Sequence, residues 1–423
     1  MGKRLKGLAL DFTPLRESRD FRLVVVGELI SNLGSQAALV ALPFQIYKVT
    51  HSPVLVGLLG AFELGPMIIV SLLGGAILDR RDRRPVLAAA QIGIITAVGA
   101  LAALSLTESH PPVVAILVLG GLLAGCTALD GVSRSAIIPA TLGKERLRHG
   151  LALNYGLFQS TSIIGPGLGG VLIAVFSVSG AYVIDAVSCL APLAAAFMIA
   201  PQHPIGVAEG EEHPPIGSQI VEGLRFVGST KALAGSFVID LNAMAFGMPR
   251  ALFAVLSLSV YHSGAIGTGA LYAAIALGGT ISVLTSGWVV HARRIGRIVI
   301  ACVALWGLAI LAAGLTRSIY VAVLLLAVAG WADGISAVCR STISQLLTPD
   351  RMRGRMGAVF SLVVTSGPRL GDIESGLVAG AVGALNSVVI GGAACIVGVG
   401  ATMLAFPALA TFDADQHTAD LAD

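Results

Sequence analysis

The chain has 423 residues, 55% of them hydrophobic and only 12% charged, about half the charged share of a soluble domain. Its formal net charge of +3 comes with no basic face on a polar domain, which argues against nucleic-acid binding. Apolar windows of about 20 residues recur along the chain, each long enough to cross a hydrocarbon core of about 30 Å, so the class is a multi-pass membrane protein.

The N-terminus, MGKRLKGLALDFTPLRESRDF, is basic and amphiphilic. It has no apolar core followed by a small-residue cleavage site, so no signal peptide is expected. Lys6 occupies the position where a myristoylation motif wants Ser or Thr. Twelve spans follow, at roughly 21–45, 53–78, 85–106, 112–136, 152–176, 180–200, 233–257, 267–290, 298–316, 319–341, 357–383 and 386–406. Ser52 and Pro53 read as the N-cap and first residue of the second.

Lys and Arg set the orientation. One set of loops carries Arg80, Arg81, Arg83 and Arg84, then Lys144, Arg146 and Arg148, then Arg293, Arg294 and Arg297, then Arg351, Arg353 and Arg355. The opposite loops hold only Lys48 and Arg317. Both termini are therefore expected in the cytoplasm.

The long connection at 201–232 begins Pro-rich and acidic, as a flexible linker does. It ends in IGSQIVEGLRFV, where Ile216, Ile220, Leu224 and Val227 have helical spacing, so an amphipathic surface helix is expected. The tail, 407–423, is polar and acidic and is expected to be disordered. All five cysteines lie inside apolar runs and read as small buried residues.

An internal repeat sets the architecture. Asp130–Ser133, DGVS, recurs as DGIS at Asp333–Ser336, 203 residues on. GPGLGG from Gly165 recurs as GPRLGD from Gly367, 202 residues on. Near-equal offsets at separated places imply a duplicated half of about 200 residues, a frequent plan in secondary transporters. The expected fold is all-α, with twelve transmembrane helices in two pseudo-symmetric six-helix bundles, 1–200 and 233–406.

With these residues in view, the chain resembles the major facilitator superfamily. Its loop 2–3 signature matches Gly75, Asp79, Arg80, Arg83 and Arg84, with Asp82 where the family often has Gly. GPGLGG, with Gly165, Pro166, Gly169 and Gly170, is similar to the fifth-helix signature of exporters. Leu271–Ala292, VALPFQIYKVTHSPVLVGL and WADGIS are similar to the enterobactin-exporter and drug-efflux subgroup. The resemblance implies alternating access at a midplane cavity, in a bacterial inner membrane, usually driven by protons. It also implies a cytoplasmic gate, with Asp79 meeting the positive end of the eleventh helix.

Charges inside spans cost about 2.5–3.5 kcal/mol each on insertion scales, so each invites a role. Glu63 lies near the middle of the second span, either as a proton-coupling carboxyl or as a neutral acid bonded to a neighbouring helix. Arg369, Asp372 and Glu374 lie in the eleventh. Arg369 and Asp372, three apart, are expected to neutralise one another, leaving Glu374 as a second coupling candidate or an interhelical partner. Glu28 is a further coupling candidate, but it sits two turns from the cytoplasmic end and is expected to be wetted. Asp130 and Arg134 are spaced for a salt pair, and in the superfamily an arginine there serves the gate or coupling. Asp240 and Arg250 need partners elsewhere, and Asp185 is expected near the outer end, hydrated.

No metal-ligand spacing, nucleophile motif or phosphate loop is present, so neither enzyme, cofactor nor ATP drive is expected. Small side chains and few aromatics (14 Phe, 6 Tyr and 3 Trp) favour a large amphiphilic cargo. The leading expectation is a monomeric, proton-coupled exporter of a siderophore or drug. Nutrient import and a non-transporting sensor are the alternatives.

Overall fold

The computed structural model describes residues 13–78, 82–108, 110–142, 146–202, 216–349 and 352–413. Helices account for nearly all of them, with no strand among the described residues. Nine helical stretches there are long and apolar enough to cross a membrane.

The first half contains α1 (Thr13–Glu17), α2 (Arg19–Thr50), α3 (Pro53–Leu78), α4 (Arg83–Thr107), α5 (Val113–Ala140), α6 (Leu147–Ser188) and α7 (Leu190–Met198). The second contains α8 (Ile216–Ser229), α9 (Lys231–Phe246), α10 (Leu252–Ser259), α11 (Gly264–Thr285), α12 (Ile295–Leu315), α13 (Ile319–Leu347), α14 (Arg353–Val382), α15 (Ala384–Ala405) and α16 (Pro407–Thr411). The helix α3 starts at Pro53 as expected, and the Leu55 N–H points at the Ser52 hydroxyl at 3.5 Å.

Two expected spans differ in form. Ser177, at φ 67° and ψ 177°, divides α6 into the fifth span and the start of the sixth. The sixth breaks again at Cys189, because Pro192 lacks the N–H that would bond the Ser188 carbonyl. The seventh is discontinuous: α9 ends at Phe246 and α10 starts at Leu252, with Pro249 between them. By contrast α14 and α15 meet through one residue, Gly383, whose φ of 88° only glycine adopts without strain.

Contacts divide the chain into two units. One comprises Met1–Leu42 with Gly65–Glu212, and the other Pro43–Leu64 with His213–Asp423. In the first, Phe21, Leu87, Ile137 and Leu153 form a fully buried knot. In the second, Val227 of α8 packs with Leu233, Met356 and Val359. The amphipathic helix therefore forms where expected, while 203–215 lie outside the described residues. Within the tail Pro407–Thr411 is helical, with Leu409 only 1% exposed, and 414–423 lie outside the described residues. Leu409 is an apolar anchor in a segment otherwise read as polar, and it seats beside Gly235 and Gly296.

The repeated glycine motif has a packing role in both units. A Cβ on Gly169 would stand 2.9 Å from the Ala37 Cα of α2. One on Gly371, its repeat partner, would run into the Met244 carbonyl of α9. Each unit thus brings its first long helix against the motif through an absent side chain.

Candidate functional site

Three charged clusters lie within the helices, one in the first unit and two in the second. In the first, Arg134 of α5 donates to Asp130 at 2.9 Å, one turn earlier on the same helix. Its guanidinium also reaches Glu28 of α2 at 3.7 Å. Gln91 of α4 donates to the same Asp130 oxygen at 2.6 Å. The spacing predicted the Asp130–Arg134 pair. Glu28 is not wetted: its side chain is 13% exposed and faces Arg134, because α2 packs against the α5 face that carries the arginine.

The second unit repeats this arrangement. Arg340 of α13 meets Asp240 of α9 at 3.0 Å and Asp333 at 3.3 Å, and it donates to the Ser336 hydroxyl at 3.0 Å. Glu28 and Asp240 each stand nine residues after the first residue of their helix, and each meets an arginine of a DG-(Val/Ile)-Ser helix. Here the arginine follows its Asp by seven residues instead of four, so α13 reaches across with two turns. Asp240 and Arg340 line a small cavity with Ser236, Phe237, Ser344 and Phe360. Arg340 was not singled out from sequence, although the repeat and the i,i+7 spacing to Asp333 pointed to it.

The third cluster is built on the gap between α9 and α10. Arg250, in the gap between α9 and α10, donates to Asp372 of α14 at 3.1 Å. The second Asp372 oxygen accepts the Ala251 N–H at 3.0 Å, so the carboxylate sits at the positive N-terminal end of α10. Tyr272 of α11 donates to the Arg250 carbonyl at 3.1 Å. Arg369 donates to Glu63 of α3 at 3.2 Å.

The expected pairing of Arg369 with Asp372 is therefore replaced by two interhelical pairs. Its cause is the close approach of α3 and α14. A Cβ on Gly57 would lie 2.7 Å from the Asp372 carbonyl oxygen, and one on Gly60 would lie 2.9 Å from that of Arg369. The four charged side chains remain 13–22% exposed, so the cluster is confined yet reachable. Two carboxylates, two guanidiniums and a phenol on four elements can trade partners when one carboxyl gains a proton. Glu374, on the same helix, is half-buried and has no ion pair among the described residues.

In the loop 2–3 signature, Gly75 belongs to α3, while Asp79 and Arg80 lie outside the described residues. Asp82 caps α4 at φ −55°, accepting the Arg84 N–H at 3.0 Å, so no left-handed residue is needed there. Asp82 also pairs with the Arg84 side chain at 2.7 Å and accepts the Gln202 N–H at 3.3 Å. Burdened with these donors, chiefly the Arg84 side chain, its carboxyl is pulled down to about 2. Arg83 donates to the Ala136 carbonyl at 2.8 Å, and Arg84 to that of Ile199 at 3.2 Å. These arginines tie the loop to α5 and to the end of α7. In the fifth-helix motif Gly165, Pro166, Gly169 and Gly170 are all buried.

One buried acid escaped the sequence reading. Asp185 is 0% exposed, against the expectation of hydration. It stands one turn before Cys189, whose thiol donates to it at 3.7 Å, and no local sequence pattern signals its burial.

A family profile described as transmembrane secretion effector matches residues 9–422. The chain is 31% identical over 371 residues to the enterobactin exporter EntS of Citrobacter koseri, and 32% to that of Salmonella typhi, covering 86% of each chain in both cases. Among solved structures it resembles the nucleoside transporter NupG, with a TM-score of 0.74 and 12% identity over 92% of this chain and 100% of that one. A bacterial homologue of ferroportin in an inward-facing state gives 0.67 at 16% identity, covering 93% and 98%. These last two likenesses bear on the fold alone.

Proposed function

Because the chain belongs to the transmembrane secretion effector family of major facilitator transporters, and is a transporter and not an enzyme, we propose that it exports an amphiphilic small molecule in exchange for protons. The observation that carries this reading is the cluster of Glu63, Arg369, Arg250 and Asp372 at the broken seventh span. Discontinuous helices place ion and substrate groups at the centre of transporters. Paired carboxylates within reach of cavity water can take up protons and release their arginines to a cargo.

The cargo class is a siderophore or a drug, consistent with the enterobactin-exporter relatives and with the small, apolar side chains of the spans. Twelve spans in two duplicated halves, alternating access, cytoplasmic termini and a monomer in the bacterial inner membrane complete the proposal. Gly75, Asp79, Arg80, Arg83 and Arg84 are proposed as the cytoplasmic gate, with Asp130 and Arg134 beside it. Glu28 and Glu374 are kept as secondary coupling groups.

The test is reconstitution into proteoliposomes with enterobactin or ethidium as probe. A pH gradient should drive uptake by wild-type protein, and Glu63→Gln with Asp372→Asn should abolish the gradient dependence. Movement of either probe that ignores both the gradient and the double substitution would overturn the reading.

A further inference from the structure

Within the long helices Glu28, Glu63, Asp130, Asp240, Asp333 and Asp372 each have an arginine within 4 Å. Asp185 is more deeply buried than any of them, at 0% exposure, and no salt bridge reaches it among the described residues. One oxygen receives the Cys189 thiol at 3.7 Å, while Oδ2 is buried with no hydrogen-bond partner. An ionised carboxylate in such a place would be uncompensated, which costs several kcal/mol and is relieved by binding a proton.

The surroundings form a built site. Asp185 stands one turn before the break that Pro192 imposes on the sixth span, where the Ser188 carbonyl has lost its helical donor. The backbone of α2 seals the other side. A Cβ on Gly34 would lie 2.8 Å from the Ser188 Cβ and 3.0 Å from the Asp185 Cα. From Cys189 the polar path continues to the Ser31 hydroxyl of α2 at 3.6 Å. Ser31 lies one turn from Glu28, whose Oε2 is also buried without a partner. The ionisable groups around Asp185 are Tyr182 on its own helix and Cys189 at the break. Farther out, Asp130 and Arg134 of α5 act electrostatically on Cys189, and Glu28 of α2 interacts with that pair.

We propose that Asp185 is a proton-binding site of the first unit, exchanging its proton with Glu28 along the Cys189–Ser31 path. The proton leaves the Asp185 carboxyl and is taken up by the Glu28 carboxylate. Asp185 becomes the anion, Glu28 becomes neutral, and Arg134 is left to Asp130 alone. This rests on the proton-driven reading above only for its role in coupling. That Asp185 binds a proton rests on its burial alone.

Infrared difference spectroscopy of the full-length protein in phosphatidylethanolamine–phosphatidylglycerol vesicles tests it without any cargo. At neutral pH the wild type should show a protonated-carboxyl carbonyl band that Asp185→Asn removes and Cys189→Ala shifts. Asp185→Glu should retain the band at a displaced frequency, which separates a titrating group from a structural hydrogen bond. A wild-type spectrum without the band, or one unchanged by Asp185→Asn, overturns the proposal. If the band behaves as expected but no pH gradient drives export, the coupling reading falls and the site stands.

Discussion

Arg250 and Asp372 are 122 residues apart in sequence and meet at 3.1 Å in the gap between α9 and α10. The same carboxylate holds the Ala251 N–H at 3.0 Å, so one side chain closes both an ion pair and a helix end. Removing one partner leaves the other buried and uncompensated, the costly half of such a pair. Asp372→Ala is expected to lose about 3 kcal/mol and gradient-driven transport together. Arg250→Met with Asp372→Leu should regain most of the stability and none of the transport. Thermal unfolding in detergent beside a proteoliposome assay decides it, and a stable, active Asp372→Ala would disprove the role.

Asp82 lies outside the spans, where its effect on stability can be read against pH. Its folded value of about 2 lies below the ordinary 3.8. The stabilisation is therefore fully present above about pH 4 and is lost as pH falls towards 2. Asp82→Ala also removes the α4 cap, at about 1 kcal/mol, while Asp82→Asn keeps a cap acceptor and should cost less. The gap between wild type and Asp82→Asn should hold from pH 7 to pH 5 in thermal unfolding. A gap that closes in that range would contradict the assigned bonds.

The duplicated glycines give a graded series. Gly371→Ala places a methyl on the Met244 carbonyl, and Gly169→Ala places one against the Ala37 backbone at 2.9 Å. Both should destabilise by about 1–3 kcal/mol as overpacking does, Gly371 the more. Gly167→Ala meets nothing within 4 Å and should be neutral or slightly stabilising through helix propensity. Equal melting temperatures for the three variants would remove the packing role.

The amphipathic helix α8 separates charge from packing. Glu222 pairs with Arg355 at 2.5 Å, but its side chain is 49% exposed. An exposed pair contributes about 0–1 kcal/mol, so Glu222→Gln should barely change unfolding. A Cβ on Gly223 would stand 2.6 Å from the Val359 side chain and 3.0 Å from the Arg355 carbonyl. Gly223→Val should lift α8 from α14 and speed proteolysis between α8 and α9. Faster cleavage in Glu222→Gln than in Gly223→Val would reverse the assignment.

Much of this was legible in the chain because it is local. Hydropathy over one span length located most helices, and Ser52 and Pro53 marked the start of α3. The spacing of Ile220, Leu224 and Val227 foretold α8. The repeat of GPGLGG as GPRLGD anticipated that both units use the same glycine position against their first long helix. The i,i+4 spacing of Asp130 and Arg134 gave their pair, since helix geometry alone brings such residues together.

Partner choice was not local. By spacing, Arg369 belongs with Asp372, yet Gly57 and Gly60 let α3 come close enough to present Glu63, while the gap after Phe246 presents Arg250. The same four residues in another helix arrangement would pair differently. Asp185 shows the limit most clearly: its neighbours in sequence describe a span end near water, and its neighbours in space leave it no exposed surface. The sequence by itself determined an all-helical membrane chain, because hydrophobic length is written residue by residue. Only the tertiary structure decided which buried charges are compensated and which carboxyl is left alone, because that depends on which backbones can touch.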